Sequence, residues 1–97
     1  MSLRDDIFSH RSDIIALAEH YGVTNIQLFG SAAKGTDRPD SDVDLLIDPL
    51  LPVKDGFGFL KFQAVVSDLL HRKVDVVFTS GLFPPLKERI LKEAVKL

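Results

Sequence analysis

The chain has 97 residues, 45% of them hydrophobic, and carries a formal net charge of −2. This length predicts a single domain over residues 1–97 with a modest core, and the absence of cysteine excludes disulfides, thiolate metal sites and a cysteine nucleophile. The slightly acidic net charge argues against general nucleic-acid binding. The polar N-terminus argues against an export signal, and the absence of an apolar run of about 20 residues argues against a membrane span. We therefore expect a cytoplasmic protein.

The first part of the chain predicts a helix, a strand and a turn, in that order. The helix is predicted from apolar residues at spacings of three and four, and Gly22 is suited to end it because glycine adopts left-handed backbone angles readily. The apolar positions of this helix are Ile7, Phe8, Ile14, Ile15, Leu17, Ala18 and Tyr21. Residues 24–29 are predicted to form a strand, 30–35 a small-residue turn with about one turn of helix, and 36–41 a loop.

The second part of the chain predicts two strands, each followed by a helix. Residues 42–47 and 73–79 are the strands, a helix is expected over 57–71, and Pro84 and Pro85 suit the first turn of a last helix that reaches the end of the chain. The apolar stripe of this last helix is predicted to contain Leu86, Ile90, Ala94 and Leu97, widened by Leu91 and Val95. The alternation of elements predicts an α/β (α+β) fold, a small mixed β-sheet with helices packed on one side.

Three aspartates fall on the predicted strands at positions that share one face. Asp42 and Asp44 are two residues apart, so their side chains point the same way while Val43 faces the core. Asp75 alternates in the same manner with valines on its own strand. Carboxylates this close repel one another unless a cation lies between them, and Mg²⁺ prefers such oxygen ligands. The pattern therefore predicts a magnesium site with Asp42, Asp44 and Asp75 as its ligands.

A small-residue turn comes directly before these carboxylates in the chain. Gly30 has no Cβ, so a phosphate can approach its backbone closely, and the hydroxyl of Ser31 adds a hydrogen-bond donor. Lys34 adds a positive charge one helical turn later. We therefore predict that Gly30, Ser31 and Lys34 bind the phosphates of a nucleotide.

The spacing of these motifs resembles a known signature. Gly30-Ser31, ten intervening residues and Asp42-x-Asp44 are similar to the G-S-x10-D-x-D pattern of the DNA polymerase beta nucleotidyltransferase superfamily. The wider stretches 28–35 (LFGSAAKG) and 38–45 (RPDSDVDL) resemble its minimal nucleotidyltransferase branch, and the resemblance covers nearly the whole chain. The family commonly has arginine at the position of Lys34, and lysine lacks the two-pronged phosphate geometry of arginine.

The resemblance implies a polymerase-beta-like nucleotidyltransferase fold and an activity. Asp42 and Asp44 would bind two Mg²⁺ ions, Asp75 would be the third ligand and a candidate base, and ATP would donate AMP to an acceptor hydroxyl. Minimal nucleotidyltransferases are commonly paired with a helical HEPN protein, often a ribonuclease toxin, and act as its antitoxin by adding AMP to a tyrosine. A HEPN partner is therefore expected, and a homodimer is left open.

The same residues allow other interpretations. A D-x-D pair alone is more often a solvated strand edge, and Asp75 alone could be an exposed strand residue. An EF-hand calcium loop is excluded because Leu45 and Leu51 stand where glycine and glutamate are needed. Two alternative functions remain at this point: an antitoxin that binds without catalysis, and a nucleotidyltransferase acting on a small molecule such as an aminoglycoside. The last helix is a candidate partner contact, although its stripe is as well suited to internal packing.

Overall fold

The computed structural model describes residues 3–35, 42–50 and 57–97, and within them it shows a four-stranded sheet with helices. The predicted loop 36–41 lies outside the described residues. The elements in chain order are α1 (Leu3–Ser9), α2 (Arg11–Tyr21), β1 (Val23–Phe29), α3 (Ser31–Lys34), β2 (Val43–Pro49), α4 (Gly58–Leu70), β3 (Val74–Phe78), a 3₁₀ turn (Thr79–Gly81), α5 (Pro84–Glu93) and β4 (Val95–Lys96).

The sheet is mixed, as predicted, and its strand order is β3-β2-β1-β4. β2 pairs with β1 antiparallel and with β3 in parallel, and β4 adds to the outer edge of β1 in antiparallel pairing. β2 is thus a central strand, and its residues Val43, Leu45, Leu46 and Ile47 are fully buried. The first residues of this central strand are therefore held rigidly between two neighbours.

The first predicted helix is two helices, α1 and α2, which meet at His10. The carbonyl oxygen of Asp6 accepts a hydrogen bond from Ser9 Oγ at 2.6 Å, and His10 Nδ1 lies 3.0 Å from the same oxygen. The backbone N–H of His10 donates instead to Ile7, at 3.1 Å. Side chains that compete for a backbone carbonyl in this way interrupt a helix. The predicted end of α2 is confirmed, since Gly22 has φ +77°.

The main core lies between the sheet and α2 and α4. Ile14 and Ala18 of α2 and Phe62 and Val66 of α4 belong to the same buried cluster as the inward side chains of β1 and β2. The helix predicted over 57–71 is present as α4. Its buried residues are Gly58, Phe62, Val66 and Leu70, whereas Phe57 and Leu60 are exposed. The buried line follows a four-residue spacing because that face meets α2.

The last helix is shorter than predicted, and the C-terminal residues form a strand instead. α5 ends at Glu93, and Val95 and Lys96 pair with Leu28 and Gln27 of β1. Leu97 donates its backbone N–H to Ile26 and is buried in the core. The predicted stripe through Ala94, Val95 and Leu97 was therefore wrong, because pairing with the edge of β1 outweighs helical periodicity at these positions.

No helix in the described part of the chain is long and apolar enough to cross a membrane.

Candidate active site

The candidate site is at the beginning of β2, where strands from both sides meet. Asp44 pairs with Phe29, the last residue of β1, and with Asp75 of β3. Residues paired between neighbouring strands project from the same face, so the carboxylates of Asp44 and Asp75 lie side by side. Asp42 precedes β2 by one residue, and Val43 between Asp42 and Asp44 is fully buried.

The electrostatics of Asp44 reflect this crowding. Partial burial raises the pKa of Asp44 above its ordinary value of 3.8, and the nearby charges of Asp75 and then Asp42 raise it further. Asp44 therefore carries its negative charge at a cost that a nearby cation would remove.

Asp75 and Asp42 are close enough to Asp44 to affect its charge, but the three aspartates do not form a closed coordination shell. In residues 3–35, 42–50 and 57–97, no three histidine, aspartate or glutamate side chains are arranged as a ready metal cage. The donor set nevertheless suits a hard divalent cation, because it is made of carboxylate oxygens in a site with excess negative charge. Metal binding would require these side chains to draw closer together.

One charge near this site was not anticipated from the sequence. Lys73 Nζ lies 3.8 Å from Asp42 Oδ2, and both side chains are well exposed to solvent. An ion pair in such a position contributes little to stability because water screens it. Lys73 therefore binds the carboxylate of Asp42 only weakly. A divalent cation would displace the Lys73 ammonium from this carboxylate.

We expect the metal-free protein to lose stability as the pH rises through the pKa of folded Asp44. Because this pKa is raised, the folded state binds more protons than the unfolded state between 3.8 and the higher folded value. The contribution of Asp44 to stability is thus fully present below 3.8 and is lost above the folded pKa. Denaturant unfolding of the wild type and of Asp44→Asn over a pH series in a chelating buffer measures this. Parallel profiles for the two proteins would contradict the account.

Gly30 is required by the packing of Asp44 as well as by its backbone angles. Its φ of +76° and ψ of −156° lie in a region almost restricted to glycine. A Cβ at this position would lie 2.5 Å from Asp44 Oδ2, which is too close for any real contact. The sequence predicts that Gly30 lets a phosphate approach the main chain; in the structure its missing side chain also makes room for the Asp44 carboxylate.

Ser31 and Lys34 begin and end α3, beside this glycine. Ser31 is half-buried, and Lys34 is exposed and pairs with Glu93 of α5, with Nζ and Oε2 3.0 Å apart. α3 is also tied to α1, because Arg4 Nη1 donates a hydrogen bond to the carbonyl oxygen of Ala33 at 3.3 Å. Neither Arg4 nor Glu93 was predicted, since nothing in the local sequence indicates a contact over so long a separation.

A cavity of about 230 Å³ opens next to Gly30. It lies between the α3 turn and α5, and its lining residues are Phe29, Gly30, Lys34, Leu86, Arg89, Ile90 and Glu93. The structure thus groups Gly30 and Lys34 with a second cation, Arg89, on a helix for which the sequence predicts partner binding or internal packing.

Known proteins resemble this chain in sequence and in fold. A sequence model of the nucleotidyltransferase domain matches residues 14–97. The protein adenylyltransferase MntA of Thermococcus cleftensis is 34% identical over 79 residues, which cover 81% of this chain and 79% of the relative. A solved structure assigned as a minimal nucleotidyltransferase has a TM-score of 0.85 and 32% identity, covering 100% of this chain and 97% of its own. A toxin–antitoxin crystal structure with AMP-PNP shares the fold, with a TM-score of 0.71 and 22% identity over 88% of this chain and 69% of that one.

Proposed function

The chain belongs to the nucleotidyltransferase domain family, and from that premise we propose that it transfers AMP from ATP to a hydroxyl group of a partner protein. The observation that carries this proposal is the convergence of Asp44 with Asp75 and Asp42 beside the open backbone of Gly30. Carboxylates that face a side-chain-free turn suit a site where a cation and a phosphate meet.

We propose that Asp42, Asp44 and Asp75 hold the divalent metal that this family of reactions uses, and that this metal is Mg²⁺, with two ions in the active complex. The fit rests on the all-oxygen donor set and on the crowding of the carboxylates, since burial and then the charges of Asp75 and Asp42 raise the pKa of Asp44. When bound, the metal would neutralise charge on the phosphates and on the attacking oxygen.

The residues of the chain have separate tasks in this proposal. Gly30 lets a phosphate approach the main chain, and Ser31 donates a hydrogen bond to it. Asp75 lies on an edge strand, so an acceptor can reach its carboxylate from outside the sheet. This carboxylate accepts the proton of the acceptor hydroxyl. The hydroxyl oxygen forms a bond to the α-phosphorus as the bond to the β-phosphate oxygen breaks, and pyrophosphate leaves.

The acceptor in this proposal is a tyrosine of a HEPN toxin, with this chain as its antitoxin. A protein acceptor is supported by the Thermococcus relative, which is named a protein adenylyltransferase. The antitoxin role draws on the sequence resemblance and on similarly folded chains in toxin–antitoxin structures. Asp75 lies on the edge strand β3 of the described sheet, a position from which a partner could present the acceptor hydroxyl.

Co-expression with the protein encoded next to this chain tests the proposed acceptor. We expect the partner to gain the mass of one or more AMP groups on tyrosine, and to gain none when it is expressed with Asp44→Asn. Intact-mass and peptide mass spectrometry provide the readout. A stable complex without a mass change would favour the binding-only antitoxin, and the absence of any interaction would favour a small-molecule acceptor.

A further inference from the structure

The cavity beside Gly30 is lined by three charged side chains, Lys34, Arg89 and Glu93. α5, which forms one wall, has no buried residue, and its side of the cavity consists of Leu86, Arg89, Ile90 and Glu93. Glu93 is the last residue of α5, where a negative charge interacts unfavourably with the helix dipole. Its position is therefore not favourable for the helix itself, and its partner is Lys34, across the cavity.

The two cations of the cavity differ in their pairing. Lys34 is bound by Glu93 at 3.0 Å, whereas Arg89 forms no ion pair or side-chain hydrogen bond within the described parts of the chain. Lys34 and Glu93 are each about half exposed, at 50% and 53%. A pair this exposed is weak, so a ligand of higher negative charge can replace the carboxylate of Glu93.

We propose that this cavity binds the β- and γ-phosphates of the nucleotide donor, with Arg89 as an additional binding residue and Glu93 as a counter-ion that the phosphates displace from Lys34. The inference rests on the proposed function in taking a nucleoside triphosphate as the donor. It adds a residue and a competitor to the site, and both lie on α5, outside the motif that marks the family.

The charge and shape of the cavity favour the terminal phosphates over the other parts of the donor. Gly30 lines the cavity, and the space that a Cβ on Gly30 would take lies against the Asp44 carboxylate, so the cavity begins where the reacting phosphate is expected. A guanidinium and an ammonium on opposite walls suit a group with several negative oxygens, and arginine binds phosphate with two parallel hydrogen bonds. Phe29, Leu86 and Ile90 supply the apolar part of the lining.

In the free protein, Glu93 occupies the ammonium of Lys34. Glu93 presents a carboxylate to the same ammonium that the phosphates would use, so it competes with the donor. Removing this charge should therefore strengthen donor binding, which is the reverse of what the loss of a ligand-binding or structural residue does.

Isothermal titration calorimetry with ATP, ADP and AMP in the presence of Mg²⁺ tests the inference. We expect Arg89→Met to weaken ATP binding by about 10-fold, in keeping with the loss of a hydrogen bond to a charged group, and Arg89→Lys to weaken it less. Glu93→Gln should strengthen ATP binding by about threefold, an effect that disappears when Lys34 is also replaced by methionine. AMP, which lacks the terminal phosphates, should bind all these variants equally.

Matched controls come from the same helix. Lys92→Met and Glu88→Gln remove the same charges from exposed positions that do not line the cavity, and neither should alter ATP binding. Unchanged ATP binding by both Arg89→Met and Glu93→Gln would overturn the inference. Equal weakening of ATP and AMP binding by Arg89→Met would also overturn it, because that result would place the base or ribose, and not the terminal phosphates, beside Arg89.

The inference and the proposed function can fail separately. The expected binding pattern without any AMP transfer would leave the phosphate site in place and remove the proposed reaction. AMP transfer by the wild type with unchanged ATP affinity in the α5 variants would keep the reaction and remove the phosphate site. Thermal unfolding of each variant shows whether its fold is intact before binding is measured.

Discussion

Replacing Asp44 by asparagine is expected to abolish AMP transfer while leaving the metal-free protein at least as stable as the wild type. Loss of residues that only support a metal ligand costs about 10–100-fold in activity, so loss of a ligand should cost at least about 100-fold. Stability should not fall, because burial and the charges of Asp75 and Asp42 make the ionised Asp44 carboxylate unfavourable, as the raised pKa of Asp44 shows.

Asp48→Asn is the matched control for this substitution. Asp48 is on the same strand, four residues further on, and accepts a hydrogen bond from Asn25 Nδ2 at 2.8 Å instead of facing other carboxylates. Asparagine can still accept that bond, so transfer should continue in this variant. Thermal unfolding and a transfer assay are compared for both proteins. A large loss of stability in metal-free Asp44→Asn would make the aspartate structural and contradict the proposed site.

Replacing Gly30 by alanine is expected to remove transfer and to lower stability by about 1–3 kcal/mol. The backbone angles of Gly30 are unfavourable for any residue with a side chain, and the new Cβ would meet Asp44 Oδ2. Because that atom is the end of a side chain, the Asp44 carboxylate would rotate away and lose its place beside Asp75. The effect on activity should therefore exceed the effect on stability.

Gly22→Ala separates the two contributions. Gly22 has nearly the same φ, +77° against +76°, but no atom lies within 4 Å of the position its Cβ would take. It ends α2 in the ordinary left-handed helical region, away from Asp44 and Asp75, so its replacement should cost about 1–2 kcal/mol without loss of transfer. Chemical denaturation gives the stability of both variants. Equal activity in Gly22→Ala and Gly30→Ala would show that the contact with Asp44 is irrelevant.

Local patterns predicted much of the fold and the arrangement of the aspartates. The alternation of Asp42, Val43 and Asp44 is a property of any strand, and it correctly placed Val43 in the core. The parallel pairing that sets Asp75 beside Asp44 follows from the order of elements, because a strand, a helix and a strand favour this connection. These features depend on neighbours in sequence or on general rules of topology.

The features that the sequence did not predict depend on contacts between distant residues. Val95 and Lys96 continue a helical pattern, and only the free edge of β1 makes them a strand. Glu93 and Arg89 meet the turn at Gly30 because α5 lies beside the end of β1, a packing that no local pattern encodes. Likewise, the contact of Gly30 with Asp44 becomes apparent only when β1 and β2 are paired in register.

The measurement that tests the central claim most directly follows the two ends of the triphosphate of ATP. The chain is incubated with its partner, Mg²⁺ and ATP labelled either at the α-phosphate or at the γ-phosphate. The account predicts that the α-label moves to the partner protein and the γ-label appears in pyrophosphate, and that both changes vanish in Asp44→Asn. Transfer of the γ-label to the partner, or α-label transfer that persists in Asp44→Asn, would contradict it.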